Sequence, residues 1–236
     1  MTNPGLEHCP SFISSQAQFV EGLESPAQKN VRRSVTISRQ AGCGALVVAE
    51  KLAHYLQAQA AGEACPWTVF DRNLIDKVLV DHGLPACLAK FLPEDRASEL
   101  EDLMADVLGV HPPAKTVVQQ TAETMLRLAQ AGNVILIGRG ANIVTASLPH
   151  VLHVRLVAPL EKRIEHALQF YRDFNKTEAQ ARKFCLCEDA ARRRYLKKYF
   201  GADNENALLY HMIINTGLVS YDDAARIIGD ALLKLG

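Results

Sequence analysis

The chain reads as an α/β protein, a three-layer α/β/α arrangement around a parallel sheet of about five strands. Three observations predict this. Short β-branched or apolar runs alternate with longer segments whose apolar residues recur at helical spacing. That order generates right-handed crossovers and a sheet covered on both faces. Val134-Ile135-Leu136-Ile137 is apolar throughout, as a strand buried on both sides requires. Residues 35–56, VTISRQAGCGALVVAEKLAHYL, run from strand through a glycine turn into an amphipathic helix. In such a unit the first N–H groups of the helix face an anion.

Each element has its own signal. Residues 1–33 carry no strong periodicity, although Phe19, Val20 and Leu23 share one short helical face, and they read as an extension. Val35 and Ile37 form the first strand; Ala45, Val48, Ala49, Leu52, Ala53 and Leu56 line one face of the helix after it. Residues 60–65 read as a loop, Trp67 to Phe70 as a second strand, and Asp71 as the N-cap of a helix carrying Leu74, Ile75, Val78 and Leu79 and ending near Gly83. Residues 85–131 read as a helical insertion. Its acidic first part, PEDRASELEDLMAD, fits a solvated helix face better than a metal site. Gly109 and Pro112-Pro113 break the pattern before a helix with Val117, Val118, Thr121, Met125 and Leu128, capped by Gly132.

The apolar strand 134–137 opens into Gly138-Arg139-Gly140, and Val151 to Val157 is the next strand. Pro159 starts a helix whose inward residues are expected to be Leu160, Ile164, Ala167 and Leu168. Thr177 with Gln180 makes a capping box for a helix that runs through the basic ARRRYLKKYF at 191–200. Leu208 to Asn215 reads as the last strand, and Ser220 caps a terminal helix with Ala224, Ala225, Ile228 and Leu232 inward.

Composition bounds the function. The 236 residues are 48% hydrophobic and 22% charged with a formal net charge of zero, so the surface as a whole is not committed to nucleic acid or an anionic membrane. No apolar run reaches the length of a transmembrane helix, and MTNPGLEHCPSF lacks the basic and apolar regions of a signal peptide, so a cytoplasmic protein is expected. The six cysteines include no C-x-x-C pair and imply no zinc site; Cys185 and Cys187 fall on different faces of a helix. Most read as reduced, packed thiols. Cys43 is the expected exception, an exposed thiol acidified by the helix terminus.

Three features carry chemistry. Gly42-x-Gly44 fails as a dinucleotide fingerprint because Val47 stands at the third glycine, which argues against a nicotinamide oxidoreductase. As a Walker A loop, Gly44 at the second glycine puts Arg39 at the first, Ala45 at the lysine and Leu46 at the hydroxyl. A tight turn without ligand stays open as an alternative. Gly138-Arg139-Gly140 presents a guanidinium fork at a strand end, suited to bidentate phosphate contact, against the alternative of a salt bridge to a neighbouring loop. Arg182, Lys183, Arg192, Arg193, Arg194, Lys197 and Lys198 form a basic helical segment able to close over a phosphoryl group, or else a solvated face. The ends of parallel strands place Arg39 to Gly44, Asp71-Arg72 and Arg139 around one crevice.

With SRQAGCGA at 38–45, FDRNLID at 70–76, VILIGRGAN at 134–142, VRLVAPLEKRI at 154–164, DAARRRYLKKYFG at 189–201 and MIINT at 212–216, the chain resembles the cytidylate kinase-like family. This is a branch of the nucleoside-monophosphate kinases among P-loop NTPases. The resemblance implies one kinase-like domain over 34–236, with 85–131 as the insertion and 172–201 as an Arg-rich lid. It implies transfer of the γ-phosphoryl of a triphosphate, ATP with Mg2+, to a nucleoside monophosphate or similar small phosphorylated acceptor. Gly42, Cys43, Gly44 and Ala45 would form the phosphate loop, and Asp71, Arg72 and Arg139 the acceptor site. Arg155 and Arg163 lie near the lid, Arg163, Arg192 and Arg194 belong to it, and Arg39, Arg139 and Arg192 are the catalytic candidates. Relatives follow the loop with Arg-Glu where this chain has Leu46-Val47, and no metal ligand is assigned. A nucleotide- or metabolite-binding protein without catalysis is the alternative on the same fold.

Overall fold

A computed structural model describes residues 32–60, 66–71, 114–170 and 177–235. Its strands are β1 (Ser34–Arg39), β2 (Thr68–Phe70), β3 (Val134–Ile137), β4 (Val151–Val157) and β5 (Met212–Asn215). Its helices are α1 (Ala45–Gln59), α2 (Ala114–Ala131), α3 (Ala141–Val144), α4 (Leu160–Phe170), α5 (Glu178–Phe200) and α6 (Tyr221–Leu233). The five strands pair in parallel in the order β2-β3-β1-β4-β5, with Ile37 beside both Ile137 and Val154. β1 is therefore central, and its C-terminal end is flanked by the ends of β3 and β4.

Period-two alternation in β1 sends its side chains to two different environments. Val35 and Ile37 join Ile135, Ile137, Leu152, Val154 and Leu156 under α1 and α6, where Val48, Leu52, Leu56, Ile228 and Leu232 complete the core. Each of these large side chains gains about 1.5–3 kcal/mol from burial. On the other face Phe70, Val134 and Leu136 pack against Met125, Leu128 and Ala129 of α2. The hydroxyls of β1 also lie on this second side, and each is paired. Ser34 Oγ donates to Ala129 O at 3.0 Å, Thr36 Oγ1 lies 2.8 Å from His153 Nδ1, and Ser38 Oγ accepts from Arg155 Nη1 at 3.0 Å.

The caps predicted at Thr177 and Ser220 form. Thr177 and Gln180 make the reciprocal capping box of α5, and Ser220 Oγ accepts from Asp223 N at 3.1 Å at the start of α6. Three expectations are corrected. The last strand begins at Met212, because Asn206 Oδ1 accepts the Leu208 N–H and turns residues 207–209 into a 3-10 helix that leaves Leu208 92% exposed. On α4, Ile164 and Ala167 are buried as expected, but Leu168 is exposed and Arg163 is buried instead, because a carboxylate of α5 meets it there. Cys185 is buried and Cys187 exposed, as the helix spacing requires, whereas Cys43 is buried rather than exposed. The helix expected after Asp71 and the first part of the 85–131 segment lie outside the described residues. Among the described residues, no helix is long and apolar enough to cross a membrane.

Candidate active site

The turn from β1 into α1 is held from several directions. Gly42 and Gly44 have φ of +80° and +77°, so both sit in the left-handed region that glycine alone adopts without strain. A Cβ on Gly42 would stand 2.4 Å from the Arg163 carbonyl oxygen, and one on Gly44 would stand 2.5 Å from the Tyr221 ring. Both glycines are needed for packing against α4 and α6. Ala45 is buried and Leu46 is 44% exposed, so neither Walker side-chain position offers a cation or an oxygen. Cys43 Sγ turns inward and donates to Gln40 O at 2.9 Å. Burial pushes this thiol up to about 11, outweighing the pull of the Arg192, Arg39 and Arg163 charges. The expected acidic thiol is thus an inert packed group.

The backbone of the turn meets α4 and α5 directly. The Ala41 N–H donates to Asp189 Oδ1 at 2.7 Å, and Arg163 Nη1 donates to Ala41 O at 3.2 Å and to Asp189 Oδ2 at 2.5 Å. Arg192 Nη1 lies 3.5 Å from Asp189 Oδ1, and its Nη2 donates to Glu188 Oε2 at 2.9 Å.

At the end of β3 the chain adopts three consecutive left-handed residues, Gly138, Arg139 and Gly140, with φ of +80°, +58° and +74°. For Arg139 this backbone costs about 1–2 kcal/mol relative to an ordinary conformation. The Gly138 N–H is tied to Ile37 O at 3.0 Å, which fixes the turn beside the end of β1. A Cβ on Gly140 would stand 2.8 Å from the Phe200 ring of α5.

These pieces enclose a crevice lined by Ser38, Arg39, Arg139, Asn142, Arg192, Tyr195 and Asn204, together with Gly138, Gly140 and Leu196. The three arginines expected to act together are therefore brought together, from β1, the β3 turn and α5. Arg139 is buried, and the Arg192 side chain is only 13% exposed. Two residues given no site role by the sequence reading join them. Asn142 Nδ2 and Asn204 Oδ1 are buried with no hydrogen-bond partner, a cost of about 1–3 kcal/mol each that a polar ligand would relieve. Behind the crevice Arg155 is held by Ser38 and by Glu205 at 2.7 Å, and the Tyr210 hydroxyl donates to Asn204 O at 2.9 Å. The cavity is about 20 Å³, room for a single water and far short of a nucleotide, and α5 contributes Arg192, Tyr195 and Leu196 to its wall.

Other expected residues fall elsewhere. Gly42, Cys43, Gly44 and Ala45 do not line this crevice. Asp71 is half-buried at the end of β2, and Arg72 lies outside the described residues. Arg163 clamps the β1–α1 turn from behind. Arg194, Lys197 and Lys198 face solvent, and Arg193 pairs with Glu205 at 3.5 Å, so of the arginines at 192–194 only Arg192 turns inward.

The family model for the cytidylate kinase-like family matches residues 34–218, the span holding both turns, the sheet and α5. The chain belongs to that family. An uncharacterized protein from Eubacterium ventriosum shares its fold with a TM-score of 0.62 at 15% identity, over 86% of this chain and 99% of that one. Shikimate kinase from Acinetobacter baumannii is more distant, with a TM-score of 0.45 at 17% identity over 87% of this chain and 96% of that one. A uronate isomerase of Corynebacterium glutamicum is 25% identical over 125 residues, 53% of this chain. The chain spans 23% of the length of that curated relative.

Proposed function

We propose that the protein is a phosphotransferase that moves the γ-phosphoryl group of a nucleoside triphosphate to a nucleoside monophosphate or similar small phosphorylated acceptor. The convergence of Arg39, Arg139 and Arg192 in one crevice at the ends of β1 and β3 carries the reading. Phosphoryl transfer spreads charge over equatorial oxygens, and guanidinium groups fixed in a water-poor site stabilise that charge. In this reading Arg139 holds the acceptor phosphate, Arg39 supplies the cation that Ala45 does not, and Arg192 arrives with α5. ATP brings Mg2+ as its own complex. The side chains after Gly44 offer that ion no oxygen, and the described residues hold no cluster of three His, Cys, Asp or Glu able to bind a metal, so no step is assigned to it. Ligands of this class, rather than nucleic acid or membrane, and a cytoplasmic location belong to the same reading.

A second reading has its own support. Ala45 and Leu46 at the Walker positions, with the Ala41 N–H already bound to Asp189, favour a nucleotide- or metabolite-binding protein that has given up catalysis. A coupled assay across nucleoside monophosphates with ATP and Mg2+ separates the two. Turnover in the wild type that falls about 10²–10³-fold in Arg139→Ala supports transfer. Turnover no higher than the variant's, with ligand binding retained, rejects transfer and leaves the binding protein.

A further inference from the structure

We infer that Asp189 is an internal latch: its carboxylate occupies the anion position of the β1–α1 turn and shuts α5 on the crevice, and a phosphate-bearing ligand opens the site by taking its place. The inference concerns how the crevice is gated, and rests on reading it as a phosphate site.

Asp189 makes the contacts a phosphate would make. One oxygen accepts the Ala41 N–H at 2.7 Å, the other is paired with Arg163 at 2.5 Å, and Arg192 stands 3.5 Å away. A backbone N–H in a glycine turn before a helix, flanked by two guanidiniums, is a ready-made anion site. Here the anion is supplied by the chain itself, from the lid helix. Arg163 completes the clasp by donating also to Ala41 O, so α4, α5 and the turn are joined at one point.

The closed state shows why such a clasp is needed. Beneath α5, Asn142 Nδ2 and Asn204 Oδ1 lie buried without partners and the cavity is only about 20 Å³. Closure over an empty site is thus opposed by lost hydrogen bonds and offset by the charge-assisted contacts of Asp189. A ligand phosphate offers the same acceptors to the Ala41 N–H, Arg163 and Arg192. Ligand and latch exclude each other, and the apparent affinity is lowered by the fraction of molecules held shut.

Inorganic tripolyphosphate tests this on the full chain, Asp189→Ala and Asp189→Asn, with amide exchange of α5 followed in parallel. The latch predicts binding about ten- to a hundredfold tighter in Asp189→Ala. The gain is smaller in Asp189→Asn, which keeps an acceptor for the Ala41 N–H, and α5 exchanges faster in both. If Asp189→Ala does not fold, Asp189→Asn decides alone. Equal or weaker binding in the folded variants overturns the latch. If no form binds tripolyphosphate, the phosphate reading of the crevice fails separately. In that case faster α5 exchange in the variants still upholds a clasp by Asp189, and unchanged exchange overturns it.

Discussion

Acid should destabilise this protein through one buried histidine on its central sheet. His153 lies on β4 at 6% exposure, with Nδ1 2.8 Å from Thr36 Oγ1 and its ring centroid 5.0 Å from that of His211. Its backbone N–H donates to His211 Nδ1 at 2.9 Å. Burial, with the neighbouring His211 charge adding to it, pushes the His153 imidazolium down from 6.5 to about 4. The unfolded chain therefore binds a proton near pH 6.5 that the folded chain refuses until about pH 4. Stability is fully present above pH 6.5 and is lost as pH falls from there through 4. The whole window is worth at most about 3 kcal/mol, and about 2 kcal/mol is lost between pH 7.5 and pH 5. Urea unfolding at those two pH values, for wild type and His153→Gln, measures it. The variant should lose about 2 kcal/mol less than the wild type over that interval. His166, whose pKa burial also lowers, contributes equally to both proteins and cancels in the comparison. Identical losses in the two proteins would refute the account.

Other expectations follow from the two turns. Gly44→Ala should cost about 2–4 kcal/mol in urea unfolding, part from its positive φ and part from the Tyr221 ring. Adding Tyr221→Ala should recover the ring's share alone in a double-mutant cycle. Arg139→Gly should be about 1 kcal/mol more stable than Arg139→Ala, because glycine accepts φ +58° freely, while both weaken phosphate binding alike in calorimetry. At pH 8 a thiol reagent should label Cys187 in the native protein and leave Cys43 untouched. Only about one part in a thousand of Cys43 is thiolate there, and mass spectrometry of labelled peptides reads the difference.

Much of the fold is legible in the chain because its signals are local. Val134 to Ile137 has no polar interruption, Thr177 and Ser220 cap their helices with their own side chains, and Gly44 stands where α1 begins. Signals fail where a side-chain hydrogen bond overrides propensity or a distant partner decides. Leu208 and Leu209 look like strand residues until Asn206 turns the backbone into a 3-10 helix, a local hydrogen bond defeating β propensity. Arg163 breaks the apolar stripe of α4 because Asp189 lies across from it, 26 residues later in the chain. For the site, Arg39 and Arg139 are legible because each stands at the C-terminal end of a strand. Arg192 is picked out of the basic helix by the resemblance to the family, and the structure agrees in turning it toward the crevice while Arg193 and Arg194 are exposed. Asn142 sits two residues beyond the glycine turn and was within reach of the motif. Asn204 had no signal, since only the return of the chain after α5 brings it to the crevice. Cys43 departs from expectation because a helix terminus acts on groups that face it, and this thiol faces the core.

The triple left-handed turn at 138–140 bears on how the family could diversify. Drift at Gly140 meets a ring in α5 and a forbidden backbone together, and drift at Gly138 meets the backbone penalty. Position 139 already tolerates a side chain there, so new preferences can enter this edge of the crevice through one codon. A saturation scan of the three positions should return two closed columns flanking one open column, enriched in Arg, Lys, Asn and Gly. The handedness of three residues thereby confines the mutational paths by which this edge of the site can acquire another ligand.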